Sequence, residues 1–165
     1  MRVLGIDPGT ITMGYGVVDS QDDEIALTDC GALVSPERSP IGERLRYLYN
    51  ELLEIIGRHQ PDAVAVEQPF VAKNVRSALA VGRAQAVAML AAANRGIQVY
   101  EYTPTEVKQK VTDYGASSKE QVQEMVRLQL ELSEAPQPID AADALAVAIC
   151  HLREMQLQSL LARGE

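Results

Sequence analysis

A chain of 165 residues, 47% hydrophobic and 23% charged, can bury a core as one domain over residues 1–165, and is neither disordered nor low-complexity. Taken as a single number, the net charge of −8 argues against a nucleic-acid partner, since phosphate binding draws on Lys and Arg. Cys30 and Cys150 lack paired spacing and read as small buried apolar residues; with no run apolar enough for a signal core or membrane span, a cytoplasmic protein with no membrane partner is expected.

Arg2 to Ile6 reads as a short buried strand, and after the turn at Asp7-Pro8-Gly9-Thr10 a second strand runs from Thr12 to Val18. Asp22 and Asp23 mark a turn, and Glu24 to Val34 supplies a third strand, so the chain opens as an antiparallel meander. The period then changes. Ser39 fits an N-cap with Pro40 in the first turn, and Ile41, Leu45, Leu48, Leu52 and Ile55 share one helical face that stops near Gly57 and Pro61. Ala63 to Val66 is a short buried strand ending at Glu67, Lys73 to Asn94 is helical, and Ile97 to Tyr102 is a further strand. Thr103 with Glu106, and Ser117 with Glu120, match the capping-box pattern and start two helices, the second reaching about Leu130. A last helix follows Pro136 and Pro138, from Ile139 to about Leu161. This order implies an α/β protein with a mixed five-stranded sheet flanked by helices, and strand ends in such sheets are where sites form.

Asp7 ends the first strand and Glu67 ends the fourth, which is too apolar to be an edge. Either carboxylate alone could cap a turn, but a buried unpaired charge is costly. Asp140 and Asp143 lie three apart at the start of the last helix, on one face; an isolated pair there would simply favour the helix dipole. Ala141, Ala142, Ala144 and Ala146 let that helix approach the sheet closely, which would bring both aspartates against the strand ends. Four carboxylates from three elements, with no Cys or His pattern nearby, suit hard cations: magnesium, with manganese as a substitute. Two such ions close together activate water and stabilise the leaving oxygen of a phosphodiester, so phosphodiester hydrolysis is the implied reaction.

Charge is unevenly spread along the chain. Residues 1–72 carry −7, residues 73–119 carry +4 and residues 120–165 carry −5. The basic stretch holds Lys73, Arg76, Arg83, Lys108, Lys110 and Lys119, each ordinary on a solvated surface and together the best candidates for DNA backbone contacts. Phe70, the one phenylalanine, follows Glu67 by three residues; a lone aromatic usually packs in a core, but one beside an active site can stack on an unpaired base. The helix through Ala78 to Leu90 is apolar on too much of its circumference for one sheet to cover, which points either to burial within the monomer or to a twofold contact.

The segments GIDPGTITMGYGVV, VAVEQPF, KNVRSALAVGRAQ, VKQKVT, SKEQVQEMV and DAADALAVAICH resemble, in order and across nearly the whole chain, the successive motifs of the RuvC family of bacterial Holliday-junction resolvases. The resemblance implies a ribonuclease-H-like fold of the retroviral-integrase superfamily and a homodimer that nicks two opposing strands of a four-way DNA junction in recombination and repair. It further implies two metal ions per subunit, and a branch-migration helicase complex of RuvA and RuvB as partner. Carried over residue by residue, it implies Asp7, Glu67, Asp140 and Asp143 as metal-binding catalytic acids, Phe70 as a base-stacking aromatic, and Lys108 and Lys119 as contacts near the cleaved bond.

Three rival readings stay open at this stage. Sugar-kinase and actin-like ATPases also begin Gly-Ile-Asp-x-Gly-Thr, although they need a second related domain and a later glycine-rich adenosine loop. A nuclease of the same fold acting on RNA or ordinary duplex is the second. A junction-binding scaffold without catalysis is the third, disfavoured by four retained carboxylates.

Overall fold

Alternation along the first strand decides what faces what. In β1 (Arg2–Asp7) and β4 (Ala63–Glu67), Leu4, Ile6, Val64 and Val66 point to one side of the sheet, while Val3, Gly5, Ala65 and the two terminal carboxylates point to the other. The computed structural model describes residues 1–69 and 74–164. With β2 (Thr12–Gln21), β3 (Glu24–Val34) and β5 (Gln98–Tyr102) the strands form one sheet in the order β3-β2-β1-β4-β5. The meander β1-β2-β3 is antiparallel, and β4 and β5 add in parallel to β1. The sheet is therefore mixed and five-stranded, as expected.

Helices cover both faces. On one lie α1 (Ile41–His59) and α2 (Val75–Asn94), sealing a cluster that includes Leu4, Ile6, Met13, Leu48, Leu52 and Val66. On the other lie α3 (Pro104–Thr112), α4 (Lys119–Gln129) and α5 (Ile139–Arg163), around Val3, Val107, Val126, Leu145 and Ile149. No helix among the described residues is long and apolar enough to cross a membrane.

Three helix starts differ from expectation, the smallest difference being in α2, which begins at Val75 behind an Asn74 N-cap and not at Lys73. Pro40, not Ser39, occupies the N-cap of α1 and makes no side-chain cap, so that helix is held by its apolar face instead. The second capping box is Ser118 with Gln121, one residue later than Ser117 with Glu120. Ser117 is engaged elsewhere: its hydroxyl lies 2.5 Å from that of Thr112 and donates to the Tyr114 carbonyl at 2.7 Å, closing the α3–α4 turn. Thr103 and Glu106 form the first box as expected. Cys150 is buried and Cys30 only half-buried; both are free thiols.

The approach of α5 to the sheet is closer than alanines alone would allow. A Cβ added at Gly5 would run into the carbonyl oxygen of Ala144, and one at Gly14 into that of Asp140. Bare glycine backbone on the strands thus lies against the helix itself, so α5 rests directly on β1 and β2. Gly14 pairs with Asp7 across the ladder, so this contact brings the first turn of α5 to the end of β1.

Candidate active site

Asp7 and Glu67 end neighbouring parallel strands on the α5 side of the sheet, and Asp140 and Asp143 come down on them from the first turns of α5. All four line one cavity of about 330 Å³, with Pro104, Val107 and Lys108 from α3, Lys119 and Val122 from α4, and Ala146. The turn after Asp7 is braced from behind, where the Ser35 hydroxyl donates to the Thr10 carbonyl at 2.7 Å and Arg44 donates to the Thr10 hydroxyl at 3.0 Å.

The charge in this cavity is poorly balanced. Burial, then repulsion from Glu67, Asp143 and Asp140, pushes the Asp7 carboxyl up to about 8. Glu67 is pushed up to about 7 by burial and then by Asp143, against the pull of Lys119 and Lys108. Asp143 is also raised, by burial ahead of the opposing contact with Lys119. Lys119 Nζ sits 2.9 Å from Asp143 Oδ2, and this bond raises the lysine. Of the four gathered carboxyls Lys119 contacts only Asp143, and with Lys108 it supplies two ammonium groups against them, so a divalent cation that displaced the raised protons would relieve the crowding.

The donor set fits hard divalent ions, being all carboxylate oxygen with no thiolate or imidazole. Among the described residues, no three of these side chains close into a ready-made coordination cage. Like charges without a counter-ion repel, and Lys119 already engages one of them, so the open arrangement is the one electrostatics favours.

The basic residues scatter more widely. Lys108 and Lys119 line the cavity. Lys110 turns away and pairs with Glu154 of α5 at 2.6 Å. Arg76 and Arg83 are exposed on α2, away from the cavity lining. Phe70 and Lys73 lie outside the described residues. Sequence reasoning missed the apolar wall of Pro104, Val107 and Val122, and also Gly14, whose lack of a side chain admits Asp140. The spacing of Gly14 and Gly16 along a strand otherwise rich in bulky residues was the available signal.

A mixed sheet in this strand order, with carboxylates at the ends of two adjoining central strands and on the helix lying across them, defines a ribonuclease-H-like nuclease. The model of the family "Crossover junction endodeoxyribonuclease RuvC" matches residues 3–151. A protein of that name from Dehalococcoides mccartyi is 54% identical over 165 residues, covering 100% of both chains, and one from Chloroflexus aggregans is 59% identical over 151 residues, 92% of each. The solved structure of Thermus thermophilus RuvC in complex with Holliday junction substrate superposes with a TM-score of 0.90 at 37% identity, covering 96% of each chain. The chain belongs to the RuvC family of crossover junction endodeoxyribonucleases.

Proposed function

We propose that this chain resolves four-way DNA junctions by hydrolysing one phosphodiester in each of two opposing strands, with Asp7, Glu67, Asp140 and Asp143 as the metal-holding acids. The observation that carries the reading is the gathering of these four carboxylates, from two strand ends and one helix, in one cavity walled by Lys108 and Lys119. Family membership supplies the substrate class, and the oxygen donor set supplies the metal class.

Two magnesium ions, replaceable by manganese, would supply activation of the attacking water and charge stabilisation at the leaving oxygen. The remaining work falls to the protein. Lys119 offsets part of the carboxylate charge that would otherwise repel an incoming phosphate, and Lys108, in the same cavity lining, offers a second cation to it. Pro104, Val107 and Val122 give the cavity an apolar wall, and low-polarity surroundings strengthen the charge interactions beside them. Lys110, held by Glu154, is a weaker candidate for a DNA contact than either. Paired cuts call for two such sites related by a twofold axis, so the working form is a homodimer.

The test is cleavage of a synthetic four-way junction beside a matched linear duplex in magnesium. The junction is expected to be cut in two symmetric strands and the duplex left whole. Asp7→Asn, Glu67→Gln, Asp140→Asn and Asp143→Asn should each slow cutting by at least about a hundredfold while junction binding persists, because phosphate contacts remain. Wild-type rates in any two of these variants would show that the metal site lies elsewhere.

A further inference from the structure

Away from the carboxylates, one buried polar pair stands out. His151 of α5 is fully buried, and its Nδ1 lies 2.7 Å from the hydroxyl of Tyr102, the last residue of β5 and itself nearly buried. The Tyr100 ring lies against the imidazole with centroids 4.3 Å apart. The other ring nitrogen, Nε2, has no hydrogen-bond partner among the described residues. A buried polar atom left unpaired is costly, and two phenylalanines in place of the tyrosine and the histidine would fill this space without that cost. Stability alone therefore does not explain a histidine here.

Position does. Tyr102 stands opposite Glu67 in the β4–β5 ladder, and its carbonyl accepts from the Gln68 backbone at 2.8 Å. The residue after it caps α3, whose Pro104, Val107 and Lys108 wall the cavity. His151 belongs to the helix that carries Asp140 and Asp143. One side-chain hydrogen bond thus joins the strand end beside Glu67, the root of the lysine-bearing α3 and the helix of the two aspartates. On the opposite face the same strand is held by the buried Gln85 of α2, which donates to Glu101 at 2.7 Å. The edge strand β5 is gripped at its carboxyl end from both sides.

We propose that the Tyr102–His151 hydrogen bond is a positioning contact for the cleavage reaction, setting the spacing between Glu67 and the two aspartates of α5. Burial pushes the phenol up and the imidazole down, so both partners are neutral at physiological pH and the bond does not switch with modest changes in acidity. Neither side chain lines the cavity, so neither touches DNA through it. Misplacing catalytic groups by about an ångström costs up to about a hundredfold in rate, which is the size of effect such a contact can control.

This inference rests on the nuclease reading above, and the experiment separates the two. Tyr102→Phe removes one oxygen and keeps the ring; His151→Phe keeps the packing; His151→Asn returns a polar atom to the place of Nδ1, and His151→Gln to that of Nε2. Single-turnover junction cleavage, junction affinity and thermal midpoint are measured for each. Tyr102→Phe and His151→Phe are expected to cut at least about tenfold more slowly, with affinity within about twofold; each leaves one buried partner unpaired and should melt about 2–12 °C lower, while the double variant should be no slower than either and should melt higher than both. His151→Asn should recover most of the rate and His151→Gln should not. A wild-type chain that leaves the junction whole refutes the nuclease reading itself. A cutting wild type with an undiminished Tyr102→Phe, or a rate loss that follows the melting loss in every variant, refutes the positioning role alone.

Discussion

Asp7 holds its proton up to about pH 8 and Glu67 up to about pH 7, whereas an unfolded chain releases both near pH 4. Between those limits the folded state binds more protons than the unfolded, so this cluster's contribution to stability is complete below about pH 4 and is lost as pH rises through 7 and 8. The carboxylates lowered by ion pairs, Asp19 beside Arg2 and Glu154 beside Lys110, act in the opposite sense but only at acid pH, below their ordinary range. In EDTA the melting temperature should therefore fall between pH 6 and pH 9, and Asp7→Asn should flatten that fall and melt several degrees higher at pH 8.5, at about 2–4 °C per kcal/mol for a chain of this size. Magnesium should raise the wild-type midpoint more at pH 8.5 than at pH 6, because cation binding there displaces fewer protons. A midpoint that rises with pH in EDTA would contradict the raising of these acids by burial and mutual repulsion. The strand-end acids were legible in the sequence because an apolar run that stops at a carboxylate before Pro or Gln-Pro is a local pattern. The Lys119–Asp143 pair was not legible, because it depends on how α4 lies across α5.

At the level of elements, α5 shows where pattern reading succeeds and where it fails. Its alanines indicate close approach, but nearly every residue from Ala141 to Leu152 is buried, so no polar stripe reveals which side meets the sheet. That orientation is set by Gly5, Gly14 and Gly16, which leave no room for side chains beneath the helix. By contrast α1 carries an apolar stripe against an exposed polar side, and its limits were readable to within a residue or two. The misplaced capping box has a similar origin: Ser117 and Ser118 both sit three residues before a Glu or Gln, and only the turn around Thr112 decides between them. Gly5→Ala and Gly14→Ala put a Cβ into helix backbone, which cannot swing aside as a flexible side chain would. Each should cost about 1–3 kcal/mol or more in chemical denaturation. The two should differ in activity. Gly14 meets Asp140 itself, so its alanine variant should lose more cleavage per kcal/mol of stability than Gly5→Ala, and equal losses would show that the glycines serve packing alone.

For the whole molecule, the question is what covers α2. Its inner side, through Ala84, Ala88, Ala91 and Ala92, packs on the sheet and α1, but Leu79, Arg83, Ala86, Leu90 and Ala93 form an exposed line at alternating steps of four and three. Leu79 is 56% exposed and Leu90 54% exposed, which is much apolar surface for a free monomer to leave in water. Steps of four and three are the spacing of a helix–helix seam, and Ala86, the small residue between the leucines, would let two such helices approach closely at its centre. A twofold contact through this surface would also serve the mechanism. Cutting two strands of a junction symmetrically needs two active sites in fixed relation, and a self-complementary helix supplies a twofold axis without any further component. Ala86 is exposed at the middle of the line and adds nothing to the monomer's core, so Ala86→Glu should leave the melting of the isolated chain intact while setting like charges against each other across the axis. Sedimentation equilibrium should then show a dimer for the unaltered chain and a monomer for Ala86→Glu at micromolar concentration. On a junction built into a supercoiled plasmid, the variant should release nicked circles where the dimer releases linear product. Paired cutting by a chain that sediments as a monomer with the junction bound would rule out this seam as the source of symmetry.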